Sequence, residues 1–166
     1  NDTICAISTS LGVGAISIIR VSGEGAIKKV ANLFDGKDLT KVESHTIHYG
    51  HIIHNNEVID EVLVSVFRAP KTYTKEDIVE INSHGGIATT KKVLEILLEN
   101  GIRLAEKGEF TKRAFLNGRL DLCEAESVNA LLSSNTDLER KLALNGISGK
   151  VSRKIKKVRD IIVELM

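Results

Sequence analysis

The chain has 166 residues, 42% of them hydrophobic, a net charge of +1, one Pro and two Cys. That is enough for one domain with an extension around a real core, in an ordinary globular composition. A charge this near zero excludes a global field for nucleic acid or membrane, and the longest apolar runs are too short to span a bilayer. Cys5 and Cys123 lack metal-type spacing and read as free thiols in a reducing cytoplasm. No signal peptide precedes Asn1, and the only Met is the last residue. The chain is therefore expected to begin short of a natural start.

In chain order, Thr3–Ile7 reads as a strand. Gly12 and Gly14 form a turn into a second strand, Ala15–Val21. Gly25–Phe34 reads as a helix with Ala26, Ile27, Val30, Ala31 and Phe34 on one face. His45–Ile53 and Val58–Phe67 read as a hairpin around Asn55-Asn56-Glu57. Ile78–Ile81 is a short strand, and His84-Gly85-Gly86 opens a helix over Ile87–Asn100. Val93, Leu94, Leu97 and Leu98 point inward there, and Gly101 ends it. Ile102–Ala105 is a last short strand. This order predicts an α+β domain over residues 1–117.

The pattern becomes all helix over residues 118–166. Thr111 is expected to cap a short helix that Gly118 ends in the left-handed conformation. Asp121 with Glu124, and Thr136 with Glu139, form capping boxes. Asn117, Gly118 and Arg119 then sit at a corner between helices, where a charge can point at a ligand. In the final segment Val151, Ile155, Val158, Ile162 and Leu165 repeat at four-three spacing. That seam needs a partner, so further helices are expected from the rest of a longer protein or from a second chain.

Several motifs fail on inspection. No Gly-x-x-x-x-Gly-Lys-Ser/Thr segment is present, so GTP cannot be held by a P-loop in these residues. Gly12-Val13-Gly14 lacks a third glycine and leads into a strand, unlike a dinucleotide fingerprint. His45, His48, His51 and His54 recur every three residues and so alternate faces of a strand, which does not gather a metal site. His84 reads as a cap or loop residue. Lys150, Arg153, Lys154, Lys156, Lys157 and Arg159 give six cations in ten residues with no acid among them. A solvated helix face and a contact with tRNA phosphates both remain open for them.

Arg20 and Glu80 stand out because each is a charge in an otherwise apolar strand. Two roles are open. They can pair with one another. Alternatively, they can bind a ligand with a donor edge and an acidic tail, such as a pterin amino group beside a ring N–H with folate carboxylates. Gly85-Gly86 would let the backbone approach such a partner closely. The expected pocket lies where the Glu80 strand, the His84-Gly85-Gly86 turn and the Asn117–Arg119 corner meet.

Four stretches carry a resemblance: DTICAIST, LGVGAISIIRVSG, APKTYTKEDIVEINSHGG and KGEFTKRAFLNGRLDLCEAES, spread over most of residues 2–127. Together they resemble the N-terminal region of the tRNA-modification GTPase family called MnmE or TrmE. The tail from Val128 resembles the start of that family's helical domain in general character. The resemblance implies an aminomethyltransferase-like, folate-binding and dimerising domain, followed by the first helices of an all-α domain. It implies Arg20, Glu80 and Arg119 as cofactor-binding residues for a reduced folate, 5-formyl- or 5,10-methylene-tetrahydrofolate. At the Arg119 position the family more often has Lys. Arg keeps the charge but is bulkier and planar.

For the whole protein the resemblance implies a homodimer, tRNA, and a flavin-dependent partner, MnmG, that together modify the wobble uridine of certain tRNAs. GTP, Mg and K belong to a G domain that these residues lack. No general base or nucleophile stands out, so the expected role of this part is to hold the carbon donor and to dimerise. A ligand-free interaction module is the competing class. A stand-alone aminomethyltransferase would need an acidic catalytic residue in a longer chain.

Overall fold

The computed structural model describes residues 2–164, which form two compact units divided between Phe110 and Thr111. The first holds a seven-stranded sheet of order β3-β4-β5-β6-β2-β1-β7. Its strands are β1 (Ile4–Ile7), β2 (Ile16–Ser22), β3 (Phe34–Gly36), β4 (Thr46–His54), β5 (Glu57–Phe67), β6 (Ile78–His84) and β7 (Arg103–Leu104). Every neighbour pair is antiparallel except β1 with β7. Helices α1 (Ala26–Ala31) and α2 (Ile87–Glu99) complete its core, so the α+β expectation holds.

Strand alternation decides which face is buried. Ile19 and Val21 of β2, Val79 and Ile81 of β6, and Val62, Val64 and Val66 of β5 are all within 2% of full burial. They share one face and pack against Ala26, Ile27 and Val30 of α1 and Val93, Ile96 and Leu97 of α2. Each buried aliphatic side chain on that face is worth about 1.5–3 kcal/mol of transfer free energy. The intervening residues carry the opposite, open face, which holds Arg20, Glu80, Ser65, Asn82, Leu63 and Tyr49.

Several element bounds differ from the sequence reading, each for a local reason. α1 stops at Ala31, and Phe34 leaves the predicted helix to pair with Ile52 on the sheet edge. The hairpin turn is only two residues, because Asn55 and Asn56 adopt φ of 51° and 63°, the paired left-handed geometry that matches strand twist. β6 runs on through Asn82, Ser83 and His84, since β2 continues to pair with it as far as Ile16 opposite His84. His84 is thus a strand residue rather than a cap or loop residue. His45, expected in a strand, precedes β4 with φ of 64°. On α2 it is Ile96 that is buried while Leu98 is 38% exposed, a one-position turn of the inward stripe. The close approach at Gly85 serves the chain itself. A Cβ there would lie 2.6 Å from the Gly14 carbonyl carbon and 2.9 Å from the Ile16 nitrogen.

In the second unit, α3 (Glu109–Leu116) has already begun before Thr111, so that residue is not its cap. Glu109 opens the helix, and its carboxylate accepts from the Glu106 N–H at 2.7 Å. Gly118, at φ 68°, ends α3 as expected. Its N–H donates to Phe115 O at 2.9 Å and that of Arg119 to Ala114 O at 2.8 Å, the paired bonds of a Schellman motif. α4 (Leu122–Leu132) and α5 (Asp137–Ile147) follow, each with the predicted capping box, from Asp121 with Glu124 and Thr136 with Glu139. α4 and α5 approach closely at Gly146, where a Cβ would lie 2.7 Å from Ser127 Cβ. α6 spans Lys150–Glu164, with Val151, Ile155, Val158 and Ile162 each 44–58% exposed, while Leu165 of the predicted seam lies outside the described residues. No described helix is long and apolar enough to cross a membrane.

The two glycines after β6 should behave oppositely. Gly85→Ala forces a Cβ into backbone and should cost roughly 1–3 kcal/mol. Gly86, the N-cap of α2 at φ −72°, meets only Thr89 Oγ1 at 3.7 Å. Gly86→Ser adds a capping hydroxyl and should leave stability unchanged or slightly raised. Denaturant midpoints of the two variants check this.

Candidate functional site

Arg20 and Glu80 face each other across the β2–β6 register on the open face of the sheet. The row continues from Ala6 on β1 through Arg20 and Glu80 to Ser65 on β5 and Ile47 on β4. Arg20 Nε donates to Glu80 Oε1 at 2.8 Å, and Nη2 lies 2.7 Å from the same oxygen. The pairing role left open by the sequence is therefore realised. It still leaves capacity for a ligand, because both contacts fall on Oε1. Among the described residues, Oε2 accepts no hydrogen bond and Nη1 donates none. The side chains are 29% and 21% exposed, so both groups remain reachable.

Two aromatic rings flank the pair. The Arg20 guanidinium carbon lies 5.7 Å from the ring centroids of both Tyr73 and Phe110. A cation held this way is attracted by each ring quadrupole while its edge stays available. Sequence reasoning missed these walls, although Tyr73 and Phe110 both sit in the stretches that carried the resemblance. Tyr73 lies in a loop and Phe110 in α3, so neither leaves a periodic signal beside the strand charge.

His84 stands two positions beyond Asn82 and four beyond Glu80 on β6. Asp60 accepts from its backbone N–H at 2.8 Å and faces its Nδ1 at 2.7 Å. The Asp60 side chain is only 10% exposed, whereas that of His84 is 67% exposed, so a nearly buried carboxylate orients an open ring. Hydrogen bonding and charge from Asp60 push the His84 pKa above its ordinary value. Sequence reasoning missed Asp60 because alternation in β5 gives no sign that its carboxylate caps the end of β6. His84 also lines a pocket of about 340 Å³ with Ile16, Tyr49, Glu61, Leu63 and Asn82, within the size range of small-molecule sites. Arg20 and Glu80 do not line that pocket, though Glu80 shares β6 with it.

Arg119 belongs to the second unit, directly after the Gly118 turn. Of the three site residues read from the sequence, the fold pairs Arg20 with Glu80. Among the described residues no group of three or more His, Cys, Asp or Glu is placed to hold a metal. Cys5 is fully buried and its thiol pKa is pushed up to about 11 by desolvation, so it is not a nucleophile at neutral pH.

Residues 3–119 match the family model described as GTP-binding protein TrmE N-terminus. The chain is 58% identical, over 99% of its length, to a tRNA modification GTPase MnmE of Bacillus cytotoxicus. It is 57% and 56% identical, over the same share, to proteins of that name from Bacillus mycoides and Bacillus anthracis. In each case it spans 36% of the relative's length.

His84 titrates above its ordinary value because of Asp60. A folded pKa above the ordinary 6.5 means that its stabilisation is complete below 6.5 and fades as pH rises through the folded value. The His84 ring resonances should titrate above 6.5 in the native protein and fall back toward it in Asp60→Asn. The stability lost in that variant should be larger at pH about 6 than at pH about 9.

Proposed function

The chain belongs to the TrmE (MnmE) family, and on that premise we propose that it binds a reduced folate through Arg20 and Glu80, as the N-terminal part of a tRNA-modifying GTPase. The observation that carries this is an ion pair left half-used. A carboxylate offers about four lone-pair sites, and Arg20 engages one oxygen of Glu80. The remaining Oε2 can accept from the amino and ring N–H edge of a pterin, while Nη1 of Arg20 can donate to a ligand oxygen. Tyr73 and Phe110 supply apolar walls beside the charge, the mixture that orients a flat polar ring. Bound there, 5-formyl- or 5,10-methylene-tetrahydrofolate would supply the one-carbon unit. This chain's own residues bind and orient it and move no proton in the reaction. Arg119 is carried as a separate arm: Arg119→Gln is expected to weaken folate binding.

The rest of the reading follows the family. GTP, Mg²⁺ and K⁺ belong to residues outside this chain, which has no P-loop. tRNA and the flavin-dependent MnmG are partners of the whole protein in the cytoplasm. A second copy is proposed on the open sheet face, where Ile16, Ile47, Tyr49 and Leu63 are 46–65% exposed. Apolar side chains gathered in this way mark an interaction surface.

Two measurements test the proposal in the full-length protein. Glu80→Gln keeps the side chain's size but removes its charge. It should weaken reduced-folate binding by on the order of tenfold to a hundredfold, equivalent to roughly 1.5–3 kcal/mol. A lowered melting midpoint with unchanged folate affinity of the folded protein would leave Glu80 as a structural partner of Arg20 alone. A wild-type midpoint that reduced folate fails to raise would favour the ligand-free module. For assembly, sedimentation should give a dimer that Ile47→Glu with Leu63→Glu converts to monomer. A wild-type monomer at tens of micromolar overturns that part.

A further inference from the structure

α6 carries two separate stripes. Val151, Ile155, Val158 and Ile162 form one, at the spacing that fits a facing helix. Lys150, Arg153, Lys154 and Lys157 form the other, at positions i, i+3, i+4 and i+7, so they share a face. The stripe is about 10 Å long at 1.5 Å per residue. All four residues are exposed. They line a pocket of about 470 Å³ with Asn145 and Val151. Lys150 is anchored to α5, its Nζ donating to Asn145 Oδ1 at 3.0 Å. No acid interrupts residues 150–159, and Asp160 and Glu164 follow only at the far end. Glu124 of α4 approaches the stripe at one place. Its Oε1 and Arg153 Nη1 would lie 2.8 and 3.2 Å from a Cβ placed on Gly149. Lys154 and Lys157 have no ion pair with any described residue.

We propose that the Lys150–Lys157 stripe of α6 is a docking surface for the phosphodiester backbone of a folded RNA. The inference rests on the reading that the whole protein acts on tRNA, and it assigns these residues to that contact. Like charges packed on one helical face repel one another, and a polyanion relieves that repulsion with release of its counterions. A concave, four-cation surface with a fixed Lys150 suits backbone phosphates better than isolated lysines do. A membrane surface is the other class of anion. It calls for Trp, Phe or Leu on the face opposite the cations, and the described part of α6 has none of the three. Val151, Ile155, Val158 and Ile162 have the spacing of a seam with another helix, and Lys150, Arg153, Lys154 and Lys157 are left to solvent.

The test uses full-length protein and unmodified tRNA, with affinity measured by fluorescence anisotropy across a salt series. Lys154→Gln with Lys157→Gln should lower the slope of log K against log salt by about 1.5–2, and weaken binding on the order of tenfold near physiological salt. Lys156→Gln with Arg159→Gln makes the same change in net charge about 110° and 170° round the helix, and should leave both unchanged. Lys154→Arg with Lys157→Arg should retain binding. Equal losses in the two Gln pairs would mean net charge alone and would overturn the proposal, as would loss of binding in the Arg pair. Wild-type binding that Lys154→Gln with Lys157→Gln leaves intact overturns the stripe but not the tRNA reading. No wild-type binding overturns both. In a parallel arm, phosphatidylcholine vesicles containing phosphatidylserine are the probe. A loss of vesicle binding in the Lys154/Lys157 pair with tRNA affinity unchanged would reassign the stripe to lipid.

Discussion

The pairing of β2 with β6 is the constraint on which the first unit depends. Its register sets Ile19 against Ile81 and Val21 against Val79 on the buried face, and Arg20 against Glu80 on the open one. A slip of β2 by one residue would exchange its faces, sending Arg20 toward the core and Ile19 and Val21 into water, while β6 stays held by β5. Desolvating an unpaired carboxylate or guanidinium costs several kcal/mol. Exposing Ile19 and Val21 forfeits roughly 1.5–3 kcal/mol each. Both penalties point the same way, so the charged pair fixes register while the apolar rows supply the driving force.

Glycine closes helices by the same device in both units. At Gly101 the N–H groups of Gly101 and Ile102 return to Leu98 O and Leu97 O at 3.1 and 3.2 Å. At Gly118 the corresponding bonds run from Gly118 and Arg119 to Phe115 O and Ala114 O. The residue after the glycine differs. Ile102 is 2% exposed and covers the equally buried Leu97, which adds the apolar contact usual for this motif. At the equivalent place stands Arg119, a cation rather than an aliphatic.

Legibility in the sequence followed the range of the interaction. Both capping boxes, both helix-ending glycines and the Asn55-Asn56 hairpin were readable because each is settled within about five residues. Phe34 and Thr111 were misplaced for the opposite reason. Phe34 is drawn onto the sheet by Ile52, and α3 is started by Glu109 ahead of the Thr that looked like its cap. The oddness of Arg20 and Glu80 was visible as charge within apolar strands, and so was their possible pairing. That the pair uses a single carboxylate oxygen, and that Tyr73 from a loop and Phe110 from α3 stand over Arg20, depends on tertiary geometry that periodicity does not encode. Asp60 was invisible as a partner of His84 because alternation along β5 does not show that its carboxylate meets the end of β6.

An ion pair of intermediate exposure is a sensible place to build a binding group. Fully exposed, Arg20 and Glu80 would be solvated, mobile and worth little to each other. Fully buried, they would need every donor and acceptor satisfied internally, and an entering ligand would have to break the pair. At 29% and 21% exposure the contact through Oε1 fixes both side chains in place. Their entropy is then already lost before any ligand arrives. The free Oε2 edge can be engaged without breaking the bond that holds the strands in register. In the proposed complex, folate would draw on Oε2 while the contact with Arg20 draws on Oε1 of the same carboxylate.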